Sequence, residues 1–283
     1  MADASGYCAE LVRTADRDRY LAALFAPAEH RGALHALYAF NSDVARVRDV
    51  AREPLPGEIR LQWWSDVLRG ERGGEAAANP VAAALLASIE RYRLPRHTLI
   101  ELVEARRFDL YDEPMTTLDE LETYASKTSS AIFSLTSRIL SGADAEAVAE
   151  HVGRAYAIAG LMRTFPLHAA RRQLFVPLEL LERHAVKMAD IFAGRSSSGL
   201  NAALAELRSV ARRHLATTRK RLPTLPREAL PAFLPLALVG PTLDRLEHSD
   251  AFAPVELTPW RRQWLLWRAA RNPARLLGGV RQG

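Results

Sequence analysis

The sequence predicts an all-α protein, a single-domain bundle of helices. Apolar residues recur with the roughly 3.6-residue period of a helix along most of the chain, and no run of Val, Ile or Thr alternates with polar residues as a half-buried strand would. Leu, Ala, Arg and Glu, which all favour helix, are abundant. Glycines and prolines punctuate the chain between the periodic stretches.

Taken in order, helices are expected over residues 7–15, 17–24, 31–50 and 55–69. The third is closed by Pro54, because the residue before a proline disfavours the helical region. Residues 70–80 begin Gly-Glu-Arg-Gly-Gly-Glu and read as a loop. Helices follow at 80–92 and 96–112, with Pro95 and Pro114 marking a start and a stop. Long periodic stretches at 118–141 and 145–164 come next, then a short helix at 177–183. Ser-Ser-Ser-Gly at 196–199 is the most flexible interior loop before a helix at 200–221. Pro223, Pro226, Pro231 and Pro235 predict a rigid connection, with Pro231 acceptable in the first turn of a helix at 230–248. The last helix spans 259–271, and residues 272–283 form a basic tail.

Composition narrows the function. Cys8 is the one cysteine, so no intrachain disulfide can form, and a reducing compartment is expected. Residues 1–18 carry Asp3, Glu10 and Asp16 and lack an apolar core, so no signal peptide is expected. No stretch reaches the roughly 18 apolar residues of a spanning helix. The expected location is cytoplasmic, or peripheral on the cytoplasmic membrane. The net charge of +5 is a property of the C-terminal end: from Thr258 onward there are six arginines and no acid. Such an end suits a membrane surface or an acidic protein; nucleic acid is not expected as a partner. There is no glycine-rich phosphate loop, zinc-ligand spacing or Ser-His-Asp signature.

Three segments carry a longer pattern. The first is Arg-Gly-Ala-Leu-His-Ala-Leu-Tyr-Ala-Phe-Asn-Ser-Asp-Val-Ala-Arg-Val-Arg-Asp at 31–49, followed by Arg-Leu-Gln-Trp-Trp-Ser-Asp at 60–66. The second is Tyr-Ala-Ser-Lys-Thr-Ser-Ser-Ala-Ile-Phe at 124–133. The third is Gly-Arg-Ala-Tyr-Ala-Ile-Ala-Gly-Leu-Met-Arg at 153–163, with Arg-Arg-Gln-Leu-Phe-Val-Pro at 171–177. From about residue 7 to 271 the chain resembles the squalene/phytoene synthase family. The resemblance implies a helical bundle of the isoprenoid synthase type around a central cavity. It also implies, for active members, Mg²⁺-dependent head-to-head joining of two prenyl diphosphates such as farnesyl or geranylgeranyl diphosphate. Diphosphate leaves readily only when a metal neutralises the developing charge, and Mg²⁺ takes carboxylate oxygens.

The carboxylates that the family implies are largely replaced. The first Asp-rich motif falls on Ala45, Arg46 and Asp49. In the second, Arg163 is kept, the two Asp places hold Thr164 and His168, and Pro166 between them is expected to break the helix and remove their i, i+4 geometry. The places of a Gln and an Asn hold Ala157 and Gly160. A glycine of the cavity wall is Phe133, which is expected to fill space that a prenyl chain would occupy. These departures more closely resemble a divergent branch that includes a mitochondrial complex I assembly factor and its bacterial relatives.

The expectation is therefore a non-catalytic binding or assembly factor at the inner membrane, with a respiratory-complex protein as partner and no cofactor. The alternatives are a Mg²⁺-dependent prenyltransferase and a carrier of an isoprenoid or lipid. Arg46, Arg163 and Arg171, with Tyr124 lining the cavity, are candidates to bind a phosphate or diphosphate; otherwise the arginines pair with acids on neighbouring helices. Asp49 and Glu53 are a weak metal-site candidate, or else a surface pair at a helix end. His168 is read as structural rather than as a general base, His35 as a core or cavity-lining residue, and Asp43 as solvated. Trp63 and Trp64 are expected to pack the second long helix. Trp260, Trp264 and Trp267 share a helix face, which is expected to be buried, with Arg271, Arg275 and Arg281 reaching a membrane. The alternative is an interfacial helix with tryptophan in the headgroup layer.

Overall fold

The computed structural model describes residues 4–51, 53–272 and 276. Among them there are helices and no strands. Helices α1 (Ala4–Ala15) and α2 (Arg17–Ala23) lead into α3 (Ala28–Ala45), which is buried at almost every position from Ala33 to Ser42. A helix with core on all sides needs no polar face, and α3 is the central member of the bundle. It touches α1, α7 (Pro80–Tyr92) and α10 (Ala131–Ser141). A second centre is α11 (Glu146–Arg163), which lies along α15 (Ser198–Arg221). Between α3 and α7 come α4 (Val47–Val50), α5 (Pro54–Arg69) and α6 (Gly73–Ala78). The last of these occupies the expected loop. Arg72 ties it down through ion pairs to Asp66 and Glu75, and Ala76 is buried.

Three other expectations are corrected. The helix beginning at Arg96 ends as α8 (Arg96–Ala105) and tightens into a 3₁₀ segment, Arg106–Leu110. The stretch 118–141 is α9 (Leu118–Ala125) and α10 joined by a π-turn, Ser126–Ser130. Pro231 and Pro235 both lie inside a 3₁₀ helix, Arg227–Leu238, that precedes α16 (Val239–Glu247), because two missing N–H donors interrupt an α ladder. The short helices α12 (Phe165–Ala170), α13 (Leu178–Arg183) and α14 (Met188–Phe192) link α11 to α15.

The final helix, α17 (Pro259–Arg271), turns its tryptophans outward, against expectation. Trp260, Trp264 and Trp267 are 69%, 45% and 47% exposed. Leu266 and Ala269 are buried and Arg262 half-buried, each two residues after a tryptophan and so about 200° further round the helix. A helix holding small and aliphatic groups on one side and indoles on the other seats the closer-packing side. Arg275 and Arg281 lie outside the described residues. No described helix is long and apolar enough to cross a membrane.

Trp64 is fully buried, edge-on to Phe40 at 4.9 Å between ring centres. Its indole N–H donates to Asp43 at 2.7 Å, and Arg60 pairs with the same carboxylate. Asp43 is thus half-buried and bonded, not solvated. His35 is a core residue stacked on Tyr20 at 5.6 Å.

Candidate functional site

The two segments matching the Asp-rich motifs come together at one end of α3 and α11. Arg46 leaves the helical region after Ala45, and α4 adds one more turn that carries Asp49. On the other side α11 stops at Arg163, and Thr164 links it to α12. Pro166 sits in the first turn of α12, where its missing N–H costs least. The His168 N–H donates to the Thr164 carbonyl at 3.0 Å, so the i, i+4 relation that Pro166 was expected to abolish survives. What is missing is the carboxylates. The Thr164 hydroxyl donates back to the Gly160 carbonyl at 2.9 Å.

After α12 the chain turns through Arg172, held in the left-handed region at φ 59° with its guanidinium over Phe192. Arg171, the residue that ends α12 just before this turn, reaches α4, where its Nη1 lies 2.5 Å from Asp49 Oδ1. Arg46 Nε approaches the other oxygen of Asp49 at 3.8 Å. One carboxylate thus joins the two motif segments by pairing with two guanidinium groups. All three side chains are 39–59% exposed, so the cluster contributes at most about 1 kcal/mol. Its donor set does not fit a magnesium ion, which takes several oxygens and would meet one already paired carboxylate, an alanine and two cations. Glu53 is exposed and forms no ion pair among the described residues. No three His, Cys, Asp or Glu side chains converge among the described residues to hold a metal.

His168 lies behind this cluster with its ring 4.7 Å from that of Phe175. Burial, and then the Arg171 charge, push its pKa from 6.5 to about 4, against a smaller opposite pull from Asp49. The folded value lies below the unfolded one, so the unfolded state binds the extra proton between them. The contribution of His168 to stability is then constant above about pH 6.5 and is lost as the pH drops toward 4. A loss on the order of 2 kcal/mol is expected from this group over that interval, and His168→Gln should make the fall shallower in urea titrations across the range, although burial also pushes His35 and His151 down.

Arg163 lines a different crevice, of about 70 Å³, whose walls include Asp18, Tyr156, Gly160, Thr242 and Arg262 but neither Arg46 nor Arg171. Arg262 pairs with Asp18 at 3.1 Å. Burial pushes the Asp18 carboxyl up, while Arg262 pulls it down. Arg163 itself has no ion pair within 4.0 Å among the described residues. The candidate arginines are therefore divided between two places.

Tyr124 belongs to neither. Its hydroxyl donates to Asp109 at 2.8 Å and accepts from Arg106 at 2.7 Å, inside a closed, buried group. Burial raises the pKa of both Tyr124 and Asp109. The centre of the bundle is occupied too. Phe133 is 2% exposed, stacked on Phe233 at 5.9 Å and edge-on to Tyr156 at 5.5 Å. The Arg19 guanidinium, paired with Asp16 at 2.7 Å, lies over the rings of Tyr38, Phe133 and Tyr156. Sequence reasoning missed both buried charge groups. Their signal is an Asp and an Arg three residues apart on one helical turn, at Asp16 with Arg19 and at Arg106 with Asp109.

Comparison with known proteins agrees with this architecture. The chain is similar to NADH dehydrogenase (ubiquinone) complex I, assembly factor 6, of Rattus norvegicus, with 32% identity over 250 residues, 88% of this chain and 75% of that protein. It is similar to the phytoene synthase of Thermus thermophilus at 30% identity, over 68% of this chain and 66% of the synthase. Among solved structures, a dehydrosqualene synthase in complex with ligand superposes with a TM-score of 0.82, covering 95% of each chain at 16% identity, a likeness of fold. The family model for squalene/phytoene synthase matches residues 12–268. The chain thus belongs to the squalene/phytoene synthase family.

Proposed function

We propose that this protein is a non-catalytic member of its family, a binding or assembly factor for a respiratory complex that works as a peripheral protein at the inner membrane. One observation carries the reading: the Asp49–Arg171 ion pair joins the two segments across which a synthase needs metal-bound diphosphate. Arg46 and Arg171 supply positive charge where the reaction needs carboxylates to recruit it. The aromatic core around Phe133 supports the same reading, because it leaves the neighbouring crevice at about 70 Å³. Small-molecule sites measure about 300–1,000 Å³, so a prenyl chain or a carried lipid has no room there. The partner class is suggested by the name of the rat relative.

The test is an incubation with farnesyl and geranylgeranyl diphosphate, Mg²⁺ and NADPH beside a family member with intact Asp motifs. We expect hydrocarbon from the control alone. Product at a rate near the control would show a rebuilt metal site and end the non-catalytic reading.

A further inference from the structure

We infer that the outward face of α17 is a lipid-contact surface that seats the protein on an anionic bilayer. This rests on the reading of a protein that works at the inner membrane, and it names the surface that would do so. Trp260, Trp264 and Trp267 lie within about 60° of one another around the helix axis. All three are exposed, and the helix is already held by Leu266, Ala269 and the Arg262–Asp18 pair on its other side. The indoles are thus not needed to attach α17 to the bundle. Three neighbouring exposed indoles form an apolar patch of the kind that marks an interaction surface.

The chemistry of the patch favours lipid headgroups. The Arg268 guanidinium lies 4.9 Å over the ring of Trp264, and that of Arg271 lies 4.9 Å over Trp267. Each pair sets a cation against an indole, an arrangement suited to the boundary between acyl chains and phosphates. The tryptophan N–H groups have no acceptor among the described residues, whereas those of Trp63 and Trp64 are bonded to Glu75 and Asp43. Ester carbonyls and phosphates would accept them. No acid from Thr258 to the C-terminus neutralises the six arginines. At 13 residues, or about 20 Å, α17 is too short to span and suited to lie in the interface.

The test uses the full chain with vesicles of phosphatidylcholine alone, or with one part phosphatidylglycerol to three parts phosphatidylcholine. Flotation reports binding, and tryptophan emission reports insertion. Three of the five tryptophans lie on this face and Trp64 is fully buried, so a blue shift reports chiefly on α17. We expect binding to the anionic vesicles with a blue shift, weakened by salt and weak on phosphatidylcholine alone. Arg268→Gln with Arg271→Gln should reduce affinity by on the order of twentyfold, from about fivefold for each cation at the surface. Replacing Trp260, Trp264 and Trp267 together by serine should abolish the shift and most binding at an unchanged melting temperature. Trp260→Ser alone, at the most exposed of the three, should weaken binding at an unchanged melting temperature. Failure to bind anionic vesicles, or undiminished binding by the triple variant, would overturn the inference. Neither result bears on the synthase assay, so the two readings fail separately.

Discussion

Replacing Phe133 by alanine should destabilise the protein by about 3–5 kcal/mol, read as a lower urea midpoint with an unchanged slope. The ring is buried between Phe233 and Tyr156, with the Arg19 guanidinium over its face. Truncation removes its transfer free energy and leaves a hole at the meeting point of α3, α10, α11 and the proline-bearing 3₁₀ helix. Those walls are fixed by regular helices and cannot collapse far. The hole would also border a buried cation, so a water entering it would find Arg19 as a partner, which places the loss toward the lower part of that range. A loss below about 1 kcal/mol would mean that the aromatic cluster is not the core that its geometry indicates.

The second large effect comes from two glycines of the same helix. A Cβ added at Gly153 would run into the backbone N and Cα of Ser130, at the end of the π-turn. Backbone cannot rotate aside as a side chain can. Gly153→Ala should therefore cost about 3 kcal/mol or more, through a forced shift of α11 against the α9–α10 segment. At Gly160, seven residues along α11, a Cβ meets nothing within 4 Å. There the same substitution should stabilise by roughly 0.5–1 kcal/mol, because alanine is the better helix former. Thermal melts of the two variants should move in opposite directions, and movement in the same direction would contradict this crossing of α11 over Ser130.

The helices were legible wherever local chemistry decides them. Asn79 before Pro80 caps α7, Thr117 and Glu120 build a capping box at α9, and the periodic patterns of α3, α11 and α15 run to within a few residues of their ends. The errors arose where distant partners decide. The helix at Gly73–Ala78 depends on Arg72 reaching Asp66, and the orientation of α17 depends on which side fits its neighbours. A tryptophan stripe has the same period whether it faces core or water. The replacement of carboxylates at Ala45, Arg46, Thr164 and His168 was legible through the resemblance to the family, on the motif residues that carry it. The pairing of Asp49 with Arg171 was not, since it spans 122 residues and depends on how the end of α12 is set beside α4.

A metal bridge exists only while the ion is supplied and falls apart when a chelator removes it. Here both halves of the Asp49–Arg171 bridge are side chains of the protein itself, so the pair calls for no added ion. It answers instead to ionic strength, since both partners are half exposed and a salt bridge of that kind is screened. Its strength is set by two side chains and by the salt around them, so a substitution at either end tunes it as directly as a change of buffer.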